Sequence, residues 1–192
     1  TVSIQGTFTD PVVIAQPIDG FETSALLEYA TAVVRNGSPS SLEVQLYRGD
    51  NTNGSIAGDV GYVVVEKGNH TLPDGTQMQA GSVDISRYDS RGNNANRDFT
   101  QINFSPTFSS APTFVATANK DSAQDWVSVR YQSGSLSGNS ITASLEIDES
   151  YPGGRLASQV GDGTDNEMGW LAIERGTFAG IEAAQTTNIS QD

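Results

Sequence analysis

The sequence predicts an all-β protein made of two tandem antiparallel β-sandwich repeats. Three observations lead to this fold class. Apolar and polar residues alternate at a period of two in several short segments, which is typical of strands with one buried face. Clusters rich in Gly, Asn, Ser and Pro separate these segments at short intervals. Blocks of sequence also recur in the same order about 100 residues apart, which indicates an internal repeat.

The recurrence begins with TVSIQGTFTDPVVIA near the start, which matches TQINFSPTFSSAPTFVA near the middle. Residues 33–46 then match 128–145, residues 59–68 match 167–176, and 79–86 match 183–190. The main matched pairs are Phe8 and Phe108, Pro11 and Pro112, Arg35 and Arg130, Leu46 and Leu145, Asp59 and Glu167, Gly61 and Gly169, Tyr62 and Trp170, Glu66 and Glu174, and Lys67 and Arg175. Because the connections between blocks differ in length, the blocks are expected to be strands and the connections loops.

The boundary between the repeats is predicted in the polar run RYDSRGNNANRD, which has no apolar periodicity. The first repeat is then 1–88, the linker 89–96 and the second repeat 97–192.

Half-buried strands are predicted where alternation is clear. The apolar positions of these strands are Leu42, Val44 and Leu46, then Val127 and Val129, then Ile141, Ala143 and Leu145. The nearly continuous apolar runs VVVE and WLAIE are expected to be central strands buried on both faces. Residues 23–34 have a helix-like composition, whereas the matching segment of the second half does not, so the repeat favours a strand there.

Composition excludes several classes of function. With 10 Lys and Arg against 23 Asp and Glu, the formal charge of −13 would repel nucleic acids and anionic lipid surfaces. No apolar stretch is long enough for a spanning helix, so membrane insertion is not expected. The absence of cysteine excludes disulfides and thiolate metal sites. The Ser-, Thr-, Asn-, Asp- and Gly-rich composition favours an extracellular or bacterial cell-surface location.

The repeated motif resembles the H-type lectin domain and related repeats of bacterial surface proteins. The resemblance lies in the motif F-x-x-x-P-x-V-x-A, in an arginine that ends a strand, and in a closing G-[YW] apolar strand. The second copy has the motif's spacing before the proline, and the first copy has one residue fewer there. These positions are Phe8, Pro11, Val13 and Ala15 with Phe108, Pro112, Phe114 and Ala116, then Arg35 and Arg130, then Gly61-Tyr62 and Gly169-Trp170. The resemblance implies a small antiparallel β-sandwich and sugar binding. H-type lectins often act as trimers that bind N-acetylgalactosamine.

An enzyme is not expected, because the chain offers poor material for acid–base or nucleophilic catalysis. The single histidine, His70, lies in a predicted turn. Glu146, Asp148 and Glu149 could supply the two carboxylates of a glycosidase. However, Glu146 and Asp148 alternate with Leu145 and Ile147, as the solvent face of a strand requires.

Calcium is the one cofactor that the sequence suggests, since Ca²⁺ prefers several oxygen ligands from flexible loops. Asp162, Asp165 and Glu167 in DGTDNE form the first candidate set. Asp50, Asn51 and Asn53 form a second, and solvated turns are the alternative for both.

Sugar sites combine an aromatic face with polar or charged side chains that bind hydroxyl groups. The local cluster with this composition is Asp125, Trp126, Arg130 and Tyr131, and Arg155 in a longer loop is a further candidate. Trp170 is expected to be buried in the closing strand. Arg35 and Arg130 could instead form structural salt bridges with Asp59 and Glu167.

The sequence thus predicts a carbohydrate-binding or adhesive module that recognises a glycan through loops. The alternative is a structural or assembly domain of a surface appendage, which acts through protein contacts or self-association into a homo-oligomer.

Overall fold

The computed structural model describes residues 2–3, 7–19, 30–35, 39–48, 55–56, 58–85, 87–88, 98–119, 127–147, 166–178 and 181–183. Within these ranges the protein is all-β and contains no helix, as the sequence predicts. The strands of the first half are β1 (Val2–Ser3), β2 (Pro11–Asp19), β3 (Ala30–Val34), β4 (Ser41–Leu42), β5 (Val44–Arg48), β6 (Ser55–Ile56), β7 (Asp59–Glu66), β8 (Gly68–Thr71), β9 (Gln77–Asp84) and β10 (Arg87–Tyr88). Those of the second half are β11 (Thr100–Asn103), β12 (Thr113–Asn119), β13 (Val127–Tyr131), β14 (Ser140–Ile147), β15 (Glu167–Ile173), β16 (Gly176–Phe178) and β17 (Ile181–Ala183).

The largest sheet has the strand order β6-β5-β3-β12-β15-β9-β8, so it combines strands from both halves of the chain. A single parallel pair, Asn119 with Val34, joins β12 to β3, and the other contacts in this sheet are antiparallel. A second sheet is built around β14, which pairs with β10, β11 and β13. Two-stranded sheets are formed by β1 with β4, β2 with β7, and β16 with β17.

The matched residues of the two halves pair in the same register. Ala15 of β2 lies opposite Tyr62 of β7, and Ala116 of β12 lies opposite Trp170 of β15. Val2 likewise faces Leu42. In the second half Ile102 faces Ile141. These pairs place core residues of both halves of the chain.

The apolar faces of the strands pack into three clusters. The largest lies mainly in the second half and includes Phe104, Leu145, Met168 and Trp170. A cluster in the first half contains Val13, Ala15, Ala32, Val34, Leu42 and Leu46. A third joins Val12 of β2 to Ala80 of β9 and Leu171 of β15. Burial of these side chains on facing sheets supplies the main driving force for folding.

The predicted half-buried strands are present, since Leu42, Leu46, Val127, Ile141, Ala143 and Leu145 are all buried. Residues 30–34 form a strand, so the helix alternative is wrong there, and residues 23–29 lie outside the described residues. His70 lies on β8 and not in a turn. The predicted linker, 89–96, also falls outside the described ranges, while β9 and β15 from the two sides of it pair along their length.

The prediction of two central strands is right for one run and wrong for the other. WLAIE forms β15 between β12 and β9, and Trp170 and Leu171 are buried as expected. VVVE belongs to β7, where Tyr62 and Val63 are exposed. Apolar character is similar in the two runs, but among the described residues β15 has a strand on each side, whereas β7 pairs with β2.

Candidate functional site

A cleft of about 310 Å³ opens at the end of β13. It is lined by Ala111, Phe114, Tyr131, Gln132, Ser133, Gly134, Ser135, Leu136, Ile141 and Arg175. Leu136 and Ile141 connect the cleft to the main apolar cluster, whereas Gln132, Ser133 and Arg175 are exposed at its rim. An apolar floor with a few polar groups around it is typical of a small-molecule site.

Tyr131 forms one wall of this cleft and is 42% exposed. Its ring packs edge-to-face against Phe114, with 5.7 Å between the ring centroids. Phe114 in turn stacks on the buried indole of Trp170, at 5.9 Å and an interplanar angle of 19°. These contacts hold the Tyr131 ring in place while leaving part of its surface accessible.

Partial burial of the Tyr131 phenol disfavours its charged form and raises its pKa to about 12. The phenol is therefore neutral at physiological pH and can donate as well as accept a hydrogen bond.

A tight turn fixes the polar side of the cleft. Gly134 has a φ of 74°, a left-handed conformation that favours glycine. The Ser135 N–H donates to the Gln132 carbonyl at 3.1 Å. The Thr142 N–H donates to Ser135 Oγ at 3.1 Å, and this hydroxyl donates to the Thr142 carbonyl at 3.3 Å. These hydrogen bonds attach the turn to β14. The turn therefore holds Gln132 and Ser133 on a fixed backbone.

Among the sugar-binding residues predicted from the sequence, Tyr131 is the one that lines the cleft. Arg130 lies on the same strand and forms an ion pair with Glu146 of β14. The predicted residues Asp125, Trp126 and Arg155 lie outside the described residues. Sequence reasoning missed Phe114, Gln132, Ser133 and Arg175, because residues from β12, the 132–139 turn and the end of β15 meet only in the folded protein.

The two matched arginines have partners other than those expected. Arg130 pairs with Glu146 rather than with Glu167. Arg35 donates a hydrogen bond to the Tyr47 hydroxyl, and its guanidinium carbon lies 5.1 Å from the centroid of the Tyr47 ring. Glu146, the best candidate for a glycosidase carboxylate, is therefore engaged in an ion pair on the sheet surface. The other two candidates, Asp148 and Glu149, lie outside the described ranges.

Glu167 is the member of the first calcium set that the structure describes. It lines a second cleft, of about 250 Å³, together with Asp10, Lys67, Ser82 and other residues. There the Lys67 ammonium lies 3.5 Å from Asp10 Oδ2 and donates to Ser82 Oγ at 3.1 Å. Within the described part of the chain, no three acidic or histidine residues come together to hold a metal. Asp162 and Asp165, like Asp50, Asn51 and Asn53 of the second set, lie outside it.

The chain is similar to part of a protein named Halomucin from Haloquadratum walsbyi, strain DSM 16790 / HBSQ001, with 25% identity over 181 residues. The matched region is 92% of this chain but only 2% of Halomucin. No family model matches the chain, and no solved structure matches it. Across the described segments, no helix is long and apolar enough to cross a membrane. The chain thus spans only a small part of the length of the relative that it matches.

Proposed function

We propose that this chain is a carbohydrate-binding module of a secreted or cell-surface protein and that the sugar binds in the Tyr131 cleft. The observation that carries the proposal is the half-exposed Tyr131 ring, held against Phe114 and bordered by polar side chains. The apolar face of a pyranose ring packs on such an aromatic surface, and hydroxyl groups bind the side chains around it.

Each part of the cleft has a role in this proposal. Tyr131 supplies the stacking surface, and its neutral phenol offers both a donor and an acceptor to a hydroxyl group. Gln132 and Ser133 add amide and hydroxyl groups from the turn. Arg175 presents a planar guanidinium suited to two oxygens at once, either neighbouring hydroxyls or the carboxylate of an acidic sugar. Phe114 supports the Tyr131 ring from behind.

Three further observations support the proposal. The motif that resembles H-type lectins includes Phe114 and Trp170, which hold Tyr131 in the cleft. The name of Halomucin describes a mucin-like protein, which is consistent with a cell-surface location for a chain similar to part of it. The acidic, cysteine-free composition fits an extracellular setting as well.

A glycan array that includes neutral and uronic-acid oligosaccharides, followed by calorimetry with a soluble hit, tests the proposal. Tyr131→Ala should weaken binding by at least about tenfold, because it removes the stacking surface. Tyr62→Ala is the matched control, since Tyr62 is similarly exposed, at 43%, and does not line the cleft. The proposal fails if no glycan binds, or if both variants lose affinity equally.

The same measurements in calcium and in chelator address the predicted cofactor. If calcium contributes through Asp162, Asp165 and Glu167, chelation should lower the affinity, and Asp162→Asn should reproduce that loss. If the affinity is unchanged, the sugar is bound by the cleft residues alone.

The alternative function, an assembly domain that acts through protein contacts, is favoured by a different feature. That feature is the exposure of two large apolar side chains on β7, Tyr62 and Val63.

A further inference from the structure

The second cleft, of about 250 Å³, lies where strands of both halves of the chain meet. This Lys67 cleft is lined, among other residues, by Asp10, Val13, Val34, Lys67, Ser82 and Asn119. Val13 and Val34 are 2% and 3% exposed and form an apolar floor. The other four side chains carry polar or charged groups. An apolar floor with a few polar groups around it is typical of a small-molecule site.

Backbone hydrogen bonds hold Asp10 and Lys67 beside each other in this cleft. Both oxygens of the Glu66 carboxylate accept from the turn before β2, Oε1 from the Asp10 N–H at 2.8 Å and Oε2 from the Thr9 N–H at 2.9 Å. The Lys67 N–H donates to the Asp10 carbonyl at 2.9 Å. The two charged side chains therefore start from a fixed backbone, which lowers the entropy lost when a ligand binds them.

The side chains of this pair place a donor next to an acceptor. The Lys67 ammonium lies 3.5 Å from Asp10 Oδ2 and donates to Ser82 Oγ at 3.1 Å. The Lys67 and Asp10 side chains are 42% and 65% exposed, so both can also reach a ligand. An ammonium has three N–H groups, and a carboxylate accepts several hydrogen bonds. A molecule in the cleft therefore meets both kinds of hydrogen-bonding group within a few ångströms.

Asn119, the last residue of β12, adds a buried amide to the cleft and is 7% exposed. Its amide oxygen accepts from the Gly169 N–H at 3.2 Å, and its nitrogen donates to the Ala118 carbonyl at 3.2 Å. A carboxamide nitrogen carries two N–H groups, so the second can donate to a ligand. Gly169 makes room for this amide, since a Cβ there would lie 2.7 Å from the end of the Asn119 side chain.

Two positions of the Lys67 cleft match positions of the Tyr131 cleft in the sequence. Val13 matches Phe114, and Lys67 matches Arg175. Phe114 and Arg175 line the Tyr131 cleft, as Val13 and Lys67 line this one. Each cleft thus has a cation at the same position of the motif, but the Lys67 cleft has an aliphatic residue where the other has an aromatic one. It therefore suits a ligand that is held by hydrogen bonds more than by stacking.

We propose that the Lys67 cleft binds a second, neutral sugar residue, in which one hydroxyl group donates to Asp10 and its neighbour accepts from Lys67. A ligand with a net charge would be attracted by one of these side chains and repelled by the other, whereas two neighbouring hydroxyl groups satisfy both. The Asn119 amide donates to a further oxygen, and the carbon atoms of the sugar ring contact the apolar floor. This inference rests on the proposed function, because it extends sugar binding from one cleft to two.

Two-dimensional NMR of the isotope-labelled chain, titrated separately with the methyl glycosides of glucose, galactose and mannose, tests the inference. At least one glycoside should shift the amide signals of Ser82 and Asn119, including the side-chain amide of Asn119. Signals of Gly134 and Ser135 report on the Tyr131 cleft, so each cleft gives its own dissociation constant. Glucuronate and protonated glucosamine, which carry opposite charges, should bind the Lys67 cleft more weakly than the neutral glycoside that binds best.

Substitutions separate the two clefts. Asp10→Asn keeps the shape of the side chain but removes its charge, so it should weaken binding at the Lys67 cleft by at least about fivefold and leave the Tyr131 cleft unchanged. Asp59→Asn is the matched control, because Asp59 is an exposed carboxylate at the opposite end of β7. Lys67→Met should repeat the loss, and it replaces Asp10→Asn if circular dichroism shows that this variant is unfolded.

The signals that shift decide between the two proposals. Shifts confined to Gly134 and Ser135 would overturn this inference and support the proposed site at Tyr131. Shifts confined to Ser82 and Asn119 would support the inference and contradict that site, and shifts at neither set would contradict both. Tighter binding of glucuronate or glucosamine than of the neutral glycosides would also overturn the inference, as would equal effects of the Asp10 variant and its control.

Discussion

The indole of Trp170 occupies the space that Gly81 leaves by having no side chain. The two residues lie opposite each other on β15 and β9. A Cβ atom built on Gly81 would lie 2.5 Å from Cζ2 of the indole, closer than real Cβ contacts allow. The contact fixes how β9 covers β15, and through Trp170 it supports the aromatic stack behind the Tyr131 cleft.

Gly81→Ala should lower the free energy of unfolding by about 1–3 kcal/mol, since the indole is packed against Phe104 and Phe114 and has little room to move. Urea denaturation measures the change. Gly61→Ala is the control: its Cβ would lie 3.2 Å from Cγ2 of the exposed Ile18, which can rotate away. Equal stability of the Gly81 variant and the wild type would show that the indole has more freedom than the packing indicates.

Gln79 is a buried polar residue that connects β9 to the loop after β11. Its amide donates to the Pro106 carbonyl, and its Oε1 accepts from the Ser105 N–H at 3.1 Å. Gln79→Met keeps the length of the side chain but removes both hydrogen bonds, so we expect a loss of about 1–3 kcal/mol in urea denaturation. Gln101→Met should change stability by less than about 0.5 kcal/mol, because Gln101 is exposed.

The Tyr131 phenol should ionise at a higher pH than the phenol of an ordinary tyrosine. Its pKa is raised by burial to about 12. The native state therefore holds this proton more tightly than the unfolded state, so the associated stability is present below pH 10 and is lost as the pH rises towards 12.

Ultraviolet absorbance of tyrosinate follows this titration. The chain contains 6 tyrosines. Tyr131→Phe should remove from the titration curve the component that ionises near pH 12. If the variant loses only signal near pH 10, the phenol is solvated in the native protein.

The Arg130–Glu146 ion pair should contribute little to stability. Both side chains are partly exposed on neighbouring strands, where solvent screens their attraction. A double-mutant cycle with Arg130→Met and Glu146→Gln should give a coupling energy below about 1 kcal/mol, and this coupling should weaken in high salt. A larger, salt-independent coupling would indicate that the pair is shielded from solvent.

The strands of the core could be predicted from local pattern alone. Leu42 and Leu46, and likewise Ile141 and Leu145, alternate with polar residues and are buried as that alternation requires. The alternation succeeds because neighbouring side chains of a strand point to opposite faces, so one face must be apolar when only one is buried.

The cleft was only partly predictable. The sequence indicates Tyr131 because other aromatic and charged residues lie near it in the chain. Its partner Phe114, however, lies on β12, and Arg175 follows β15. No spacing in the sequence brings these residues together, because their proximity depends on which strands become neighbours in the sheets. The same limit explains Arg130, whose partner Glu146 is set by the register of β13 on β14.

The sequence by itself determined that the protein is all-β and where several of its core strands lie, because these properties depend on the local alternation of apolar and polar residues. Only the tertiary structure decided that β9 of the first half covers β15, and that Tyr62 and Val63 of the equally apolar β7 are exposed. Strand pairing uses backbone groups that every residue shares, so the choice of partner is made by the packing of the whole fold and not by the residues of one strand.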